Sequence, residues 1–393
     1  MSDIDSPGEA TGETVGEAAG PGLAVRSEPR DRVRRRRGWW GVPRWTLGWQ
    51  SISVRHLLWA SLVLVPVALA AALFGMGDVS VFLLSVLALA PLAWVIGEST
   101  EQVGEYTGPA IAGLLNASFG NAPELMVALF AVDSGLFEVV RGSLSGSVIS
   151  NLLLVLGFSL FVGGRGRIDR RSAYGALGMV ALAGLLFAVP ALAYGPSASE
   201  RLTALGVAVA AVLLAIYLVV TAWSVVRERR RHRESGTASQ ADWSLPRALV
   251  TLGLATLTTV AVTEVLINSI ESFADASGLS DFFVSAVIVA IAGNAAEHGG
   301  AVVIAARGGV RLASEIALQS ASQVAVGLIP AVVLLSLLIR PLPVFFSWVE
   351  YLGLAIAVAV PALMLLRGRS SRWKGTGMVA SYAVVVVVFY VAS

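Results

Sequence analysis

No cysteine occurs among the 393 residues. Disulfide scaffolds, cysteine-ligated zinc or iron–sulfur centres and thiol catalysis are thereby excluded, although this absence says nothing about compartment. Charge is also scarce: 14% of residues are acidic or basic, lysine occurs once, at Lys374, and histidine three times. With 56% hydrophobic residues and a mean hydropathy of +0.77, the composition excludes an ordinary soluble domain and implies an integral membrane protein. No Walker loop, dinucleotide fingerprint, His-Glu-x-x-His or Gly-x-Ser-x-Gly string is present. Nothing therefore supports ATP-driven pumping or hydrolysis. No cofactor is implied, and the expected energy source is an ion gradient.

What is present is organised by hydropathy. Residues 1–50 form a polar tail, acidic at first and then basic through Arg32, Arg34, Arg35, Arg36 and Arg37, followed by Trp39, Trp40, Trp45 and Trp49. Its first part is expected to be disordered and its second to lie in a bilayer interface. Two other readings compete. The arginine run suits nucleic acid, and Ala68-Leu69-Ala70 resembles a signal-peptide cleavage site. The apolar stretch begins only near residue 54 and nothing soluble follows it, so neither is adopted and no nucleic-acid partner is expected.

Eleven apolar runs follow, near 54–74, 79–100, 108–133, 140–163, 172–194, 201–226, 246–272, 281–305, 313–339, 344–366 and 374–392. Each approaches the roughly 20 residues a spanning helix needs. With the tail in the cytoplasm, the inside loops hold Arg165, Arg167, Arg170 and Arg171, then the Arg227–Arg233 run, then Arg307 and Arg311, then Arg367, Arg369, Arg372 and Lys374. The outside loops hold Arg141, Arg201 and Arg340. The inside loop near 101–107 lacks basic residues, but the alternation otherwise follows the positive-inside rule and places the C-terminus outside.

The string Gly120-Asn121-Ala122-Pro123-Glu124 reappears as Gly293-Asn294-Ala295-Ala296-Glu297, an offset of 173 residues. The same register pairs Ala117 with Ala290, Ala128 with Ala301, Gly135 with Gly308, Ser147 with Ser320, Ser150 with Gln323, and Glu98-Ser99 with Glu271-Ser272. The two copies fall in the third and eighth spans. An odd number of crossings separates them, so they face opposite ways. The expected fold is an all-α polytopic membrane protein: a leading helix (51–76) and two inverted five-helix repeats (77–226 and 246–393), joined by an Arg-rich cytoplasmic linker (227–245). Secondary transporters share this plan, with sites mid-membrane between the halves.

An ionised carboxylate at the centre of a span costs about 3 kcal/mol on insertion scales, so Glu124 and Glu297 require a functional reason. Gly120, Pro123 and Gly293 are expected to break the helices there and free backbone groups. Asn121, Asn294, Ser147, Ser150, Asn151, Ser320 and Gln323 supply further oxygens nearby. An all-oxygen set with two carboxylates suits a hard divalent ion such as Ca2+. Two like charges at low dielectric cannot both remain ionised without a counterion, so Ca2+ and H+ compete for the pair. If the site faces one side at a time, a proton gradient becomes cation export.

These motifs carry a resemblance. "GLLNASFGNAPELMVALFA" at 113–131, "GNAAEH" at 293–298 and "GSVISNLLLVLG" at 146–157 resemble the signatures of the calcium/proton exchanger (CAX) family of the calcium/cation antiporter superfamily, over roughly residues 50–393. The resemblance implies eleven helices and exchange of Ca2+ for protons. It makes Glu124 and Glu297 the principal ligands, with Asn121, Asn294, Ser147, Asn151, Ser320 and Gln323 lining the site. Three features depart from the family pattern: the linker "RERRRHRESG" is basic rather than acidic, Gly299-Gly300 follow "GNAAEH", and Gln319 stands where Gly usually precedes Ser.

Weaker candidates remain. Glu98, Glu101, Glu264 and Glu271 are read at or near the inner halves of the second and seventh spans, as proton relays, gating groups or wet helix ends. His298 is a ligand, a proton carrier beside one, or a packed core residue. Gly75-Met76-Gly77-Asp78 matches the short string of intramembrane aspartyl proteases but falls in a hairpin and is read as a turn. The overall expectation is a Ca2+/H+ antiporter of a bacterial cytoplasmic membrane, whose partners are Ca2+, protons and the lipid bilayer. Na+ or K+ exchange for H+, Na+ exchange for Ca2+, and a passive channel are the competing readings.

Overall fold

The computed structural model describes residues 56–107, 118–194, 199–233, 242–342 and 346–392, with the isolated positions 111 and 115. The tail and the first part of the third predicted span lie outside these. All described residues belong to one compact unit.

Twelve helical segments carry the described chain. They are α1 (His56–Leu73), α2 (Asp78–Thr107), α3 (Ala122–Ser134), α4 (Phe137–Gly163), α5 (Arg170–Tyr194), α6 (Ser199–Arg233), α7 (Leu245–Ser277), α8 (Asp281–Gly293), α9 (Ala295–Ala306), α10 (Val310–Ser336), α11 (Trp348–Met364) and α12 (Arg372–Ala392). Eight are long and apolar enough to span a membrane, and a ninth span results if the pair α8–α9, bent by 59°, is counted as one. The 17-residue α11 is shorter, and α3 is described only from Ala122. The eleven predicted runs correspond in position to these helices, but the described residues count eight or nine full spans. The Gly75–Asp78 string forms the tight turn between α1 and α2, with Gly75 at φ +66°.

The 173-residue register is visible in the backbone. α4 and α10 begin and end at equivalent positions, as do the starts of α3 and α9. Ser150–Val155 of α4 and Val324–Leu328 of α10 are both wound as π-helix, at matching places. A π turn inserts a residue into the hydrogen-bond ladder and often marks a functional site. A third π segment, Val284–Val289, lies in α8.

α2 lies along α7, its repeat counterpart. Phe82 stacks on Phe273 at 4.2 Å between ring centres, and Ser272 Oγ donates to Asp78 Oδ2 at 2.8 Å. At the other end of α2, Gln102 Oε1 accepts from the amides of Asp242 and Trp243 at 2.9 and 3.2 Å, and the Tyr106 hydroxyl donates to the Trp243 carbonyl at 2.6 Å. The chain entering the second repeat is thus fastened to the first. The arginine run Arg227–Arg233 continues α6 rather than opening a loop.

This arrangement corrects the placement of two glutamates. Glu264 and Glu271 lie in the C-terminal part of α7, the end away from the Arg-rich linker, and both are exposed. The repeat inverts the pair, so Glu98 and Glu271 occupy equivalent ends of α2 and α7 that point opposite ways. Reading both as inner-half groups overlooked that inversion.

Gly142 and Gly146 of α4 bring it against the backbone of α8. A methyl group on Gly146 would overlap the Ala286 carbonyl, and one on Gly142 would lie 2.7 Å from the Phe282 carbonyl oxygen. Lipid-embedded helices pack through such small-residue contacts, because burial from lipid supplies no hydrophobic drive.

Candidate functional site

α3 and α9 both start in the middle of the protein immediately after an asparagine with nearly the same backbone geometry. Asn121 has φ −97° and ψ 17°, and Asn294 has φ −93° and ψ 7°. Pro123 tolerates the first turn of α3, where its missing amide is not needed. Glu124 and Glu297 then fall in the first turns of their half-helices. A helix start favours a carboxylate there by about 0.3–1 kcal/mol, and by about 2 in partly buried settings. That offsets only part of the roughly 3 kcal/mol each carboxylate costs at mid-membrane.

The two carboxylates lie within Coulombic reach of each other. The Glu124 side chain crosses to the second repeat and rests on the break of its bent span: a Cβ placed on Gly293 would lie 3.5 Å from Glu124 Cδ. Ser320 of α10 faces the Glu297 carboxyl but stops short of hydrogen-bond geometry. Asn294 Nδ2 donates to Ser147 Oγ and to the Ala290 carbonyl, each at 2.9 Å, and its Oδ1 receives Asn151 Nδ2 at 3.4 Å. Asn151 Nδ2 and Ser150 Oγ both donate to the Ser147 carbonyl, at 3.0 and 3.1 Å. Asn294 therefore ties the helix break to α4, and its oxygen is engaged.

Other oxygens are not. Asn121 Oδ1, Glu124 Oε2, Asn151 Oδ1, Glu297 Oε2 and Ser320 Oγ are buried without a hydrogen-bond partner. Buried acceptors are almost always satisfied, and each orphan costs free energy on the scale of a lost hydrogen bond. Two of these orphans belong to the repeat-related carboxylates, Glu124 and Glu297. No group of three or more Asp, Glu, His or Cys among the described residues could hold a metal. The unpartnered oxygens are thus two carboxylate, two amide and one hydroxyl oxygen.

The remaining candidates are more dispersed. Gln323 is half-buried beside the π segment of α10. His298 is partly exposed, and its Nε2 has no partner. Glu98 accepts from Gln102 Nε2 at 3.3 Å, and Glu101 is half-buried on the same helix end. Gly120 lies in the turn before α3.

Two features escaped the sequence reading. The α4–α8 contact was signalled by Gly142-Ser-Leu-Ser-Gly146, a small-xxx-small string. A buried charge, Glu350 in the first turn of α11, was signalled by the capping box Ser347-Trp-Val-Glu350. Glu350 Oε2 accepts from the Ser347 amide at 2.7 Å and lies 3.8 Å from Arg141 Nη1 of α4. Ser145 Oγ, next to the Gly146 contact, donates to Glu350 Oε1 at 3.5 Å.

Comparison with known proteins agrees with this fold. The vacuolar cation/proton exchanger 1a of Oryza sativa subsp. japonica is 36% identical over 353 residues, covering 84% of this chain and 78% of the relative. The Ca2+/H+ antiporter of Aphanothece halophytica is 30% identical over 364 residues, covering 86% and 97%. The crystal structure of the selenium-substituted Ca2+/H+ antiporter protein YfkE superposes with a TM-score of 0.74 at 28% identity, over 86% of this chain and 99% of that one. The family model for sodium/calcium exchanger proteins matches residues 78–226 and again 247–391, one match per repeat. The chain belongs to the sodium/calcium exchanger protein family.

Proposed function

We propose that the chain is a Ca2+/H+ antiporter that exports cytosolic Ca2+ by alternating access about Glu124 and Glu297. The observation that carries this reading is a pair of repeat-related carboxylates within Coulombic reach, each in the first turn of its helix and each with an unpartnered buried oxygen. Ca2+ compensates both charges at once, and so do protons. The two occupants exclude each other at one site, and that exclusion is the coupling. Asn121, Asn151 and Ser320 complete the shell, while Ser147 and Asn294 hold the break of the second repeat in place. The arginine-rich loops face the cytoplasm, as the positive-inside rule requires. The relatives' names support Ca2+ and H+ as the exchanged ions.

Everted membrane vesicles with an acid interior provide the test. Wild type should accumulate radiolabelled Ca2+. A protonophore, Glu124→Gln or Glu297→Gln should each abolish the uptake. The family model's description favours one second reading, Na+ as the counter-ion. Uptake driven by an outward Na+ gradient without a pH difference, and insensitive to the protonophore, would replace H+ by Na+.

A further inference from the structure

Between the α4–α5 turn and the α11–α12 turn lies a cavity of about 310 Å3, lined by Arg167, Asp169, Arg170, Arg311, Arg367 and Gly368. The backbone builds it. The Ile168 amide donates to the Gly368 carbonyl at 2.9 Å and the Ser370 amide to the Gly166 carbonyl at 3.0 Å, so the two turns are bridged side by side. Ser370 Oγ adds a bond to the Gly164 carbonyl at 2.7 Å. Gly368 has φ +60°, and a Cβ there would lie 2.7 Å from Arg170 Cγ. Only glycine lets the Arg170 stem lie across the turn.

The charges in the cavity are unbalanced. Asp169 Oδ1 accepts from the amides of Arg171 and Ser172 at the start of α5, at 3.0 and 3.3 Å. Its Oδ2 meets Arg311 at 3.2 Å, while Glu315 holds the other side of that guanidinium at 2.9 Å. Arg167, Arg170 and Arg367 form no ion pair among the described residues. Membrane orientation explains arginines in these loops but does not require a preformed cleft around them. Arginine forks match phosphate oxygens, and the volume suits a small polar headgroup. The flank is apolar: Leu363 and Leu366, just before Arg367, are 66% and 53% exposed, and Trp373 at the start of α12 is 85% exposed. Exposed leucines and an interfacial indole are what an acyl chain and the membrane surface would meet.

We propose that this cleft is a phosphate-binding site and that an anionic phospholipid presents the phosphate. The test uses the purified full-length protein in detergent. It is titrated with short-chain phosphatidylglycerol and, separately, with inorganic phosphate, and bound adducts are read by native mass spectrometry. The variants are Arg367→Gln and Arg167→Gln/Arg367→Gln in the cleft, Arg307→Gln on the same face outside it, and Asp169→Asn, which keeps the cap on α5 but removes the competing charge. Phosphatidylglycerol should bind wild type, bind the double variant about thirtyfold more weakly, bind Arg307→Gln within twofold of wild type, and bind Asp169→Asn more tightly. Equal weakening by Arg307→Gln and a single cleft substitution, with no gain from Asp169→Asn, would reduce the effect to bulk surface charge and overturn the proposal. Inorganic phosphate binding with the same variant sensitivity, at no disadvantage to the lipid, would overturn the lipid as its source.

Discussion

Glu124 and Glu297 could be found from sequence because carboxylates inside apolar runs are costly and these recur in register. The approach of Glu124 to the break of the second repeat could not, since it depends on Gly293 leaving room for the carboxyl. A methyl group at Gly293 meets the Glu124 carboxyl at ordinary contact distance, whereas a branched side chain would occupy the space the carboxylate uses. Gly293→Ala should therefore retain Ca2+ uptake, and Gly293→Leu should lose it while running as a normal peak in size-exclusion chromatography. Glu350 was missed for a related reason: at a helix start near a predicted boundary, a glutamate reads as wet, yet this one is fully buried beside Arg141. Removing one member of a buried ion pair strands the other, at about 3–5 kcal/mol, while replacing both with apolar residues is often tolerated. Glu350→Ala should lower the thermal midpoint in detergent more than Arg141→Met/Glu350→Leu does. The reverse order would show that the pair does not act as a buried ion pair.

Helices were legible wherever hydropathy and helix coincide. α4, α5, α10 and α12 begin or end within a few residues of their apolar runs. Hydropathy reports the bilayer, however, and α2 and α7 extend beyond it: α2 continues to Thr107 through Glu98, Glu101 and Glu105, and α7 to Ser277 through Glu271 and Asp275. A continuous apolar run also hides a bend, which is why the eighth run resolves into α8 and α9 at 59°. The π segments left no trace in composition. The close packing of α4 on α8 is set by Gly146 against the Ala286 carbonyl. Gly146→Leu should force these helices apart. In a chain with no native cysteine, a single Ser285→Cys reporter would then react faster with a membrane-impermeant thiol reagent than it does beside Gly146. An unchanged labelling rate would mean that the contact does not seal this end.

At the scale of the molecule, the inverted repeat makes a prediction about topology that no single helix makes. A C-terminal alkaline phosphatase fusion should be active and a fluorescent protein at the same place dark, with the opposite result for fusions in the Arg-rich linker. Matching behaviour at both places would break the inversion. The duplicated plan was legible because the 173-residue register survives in the signature strings. Its imperfections, such as Val324 where the first repeat has Asn151, required the structure to interpret. One imperfection reaches furthest. Gly146 is buried against α8, but its counterpart Gln319 on α10 is exposed. The two halves therefore do not pack alike, so opening toward one side and opening toward the other should cross barriers of different height. The ion gradients alone still fix where exchange stops. How fast it approaches that point should differ with direction, and initial rates compared in right-side-out and everted vesicles would show it; equal rates would mean that this packing difference does not govern exchange.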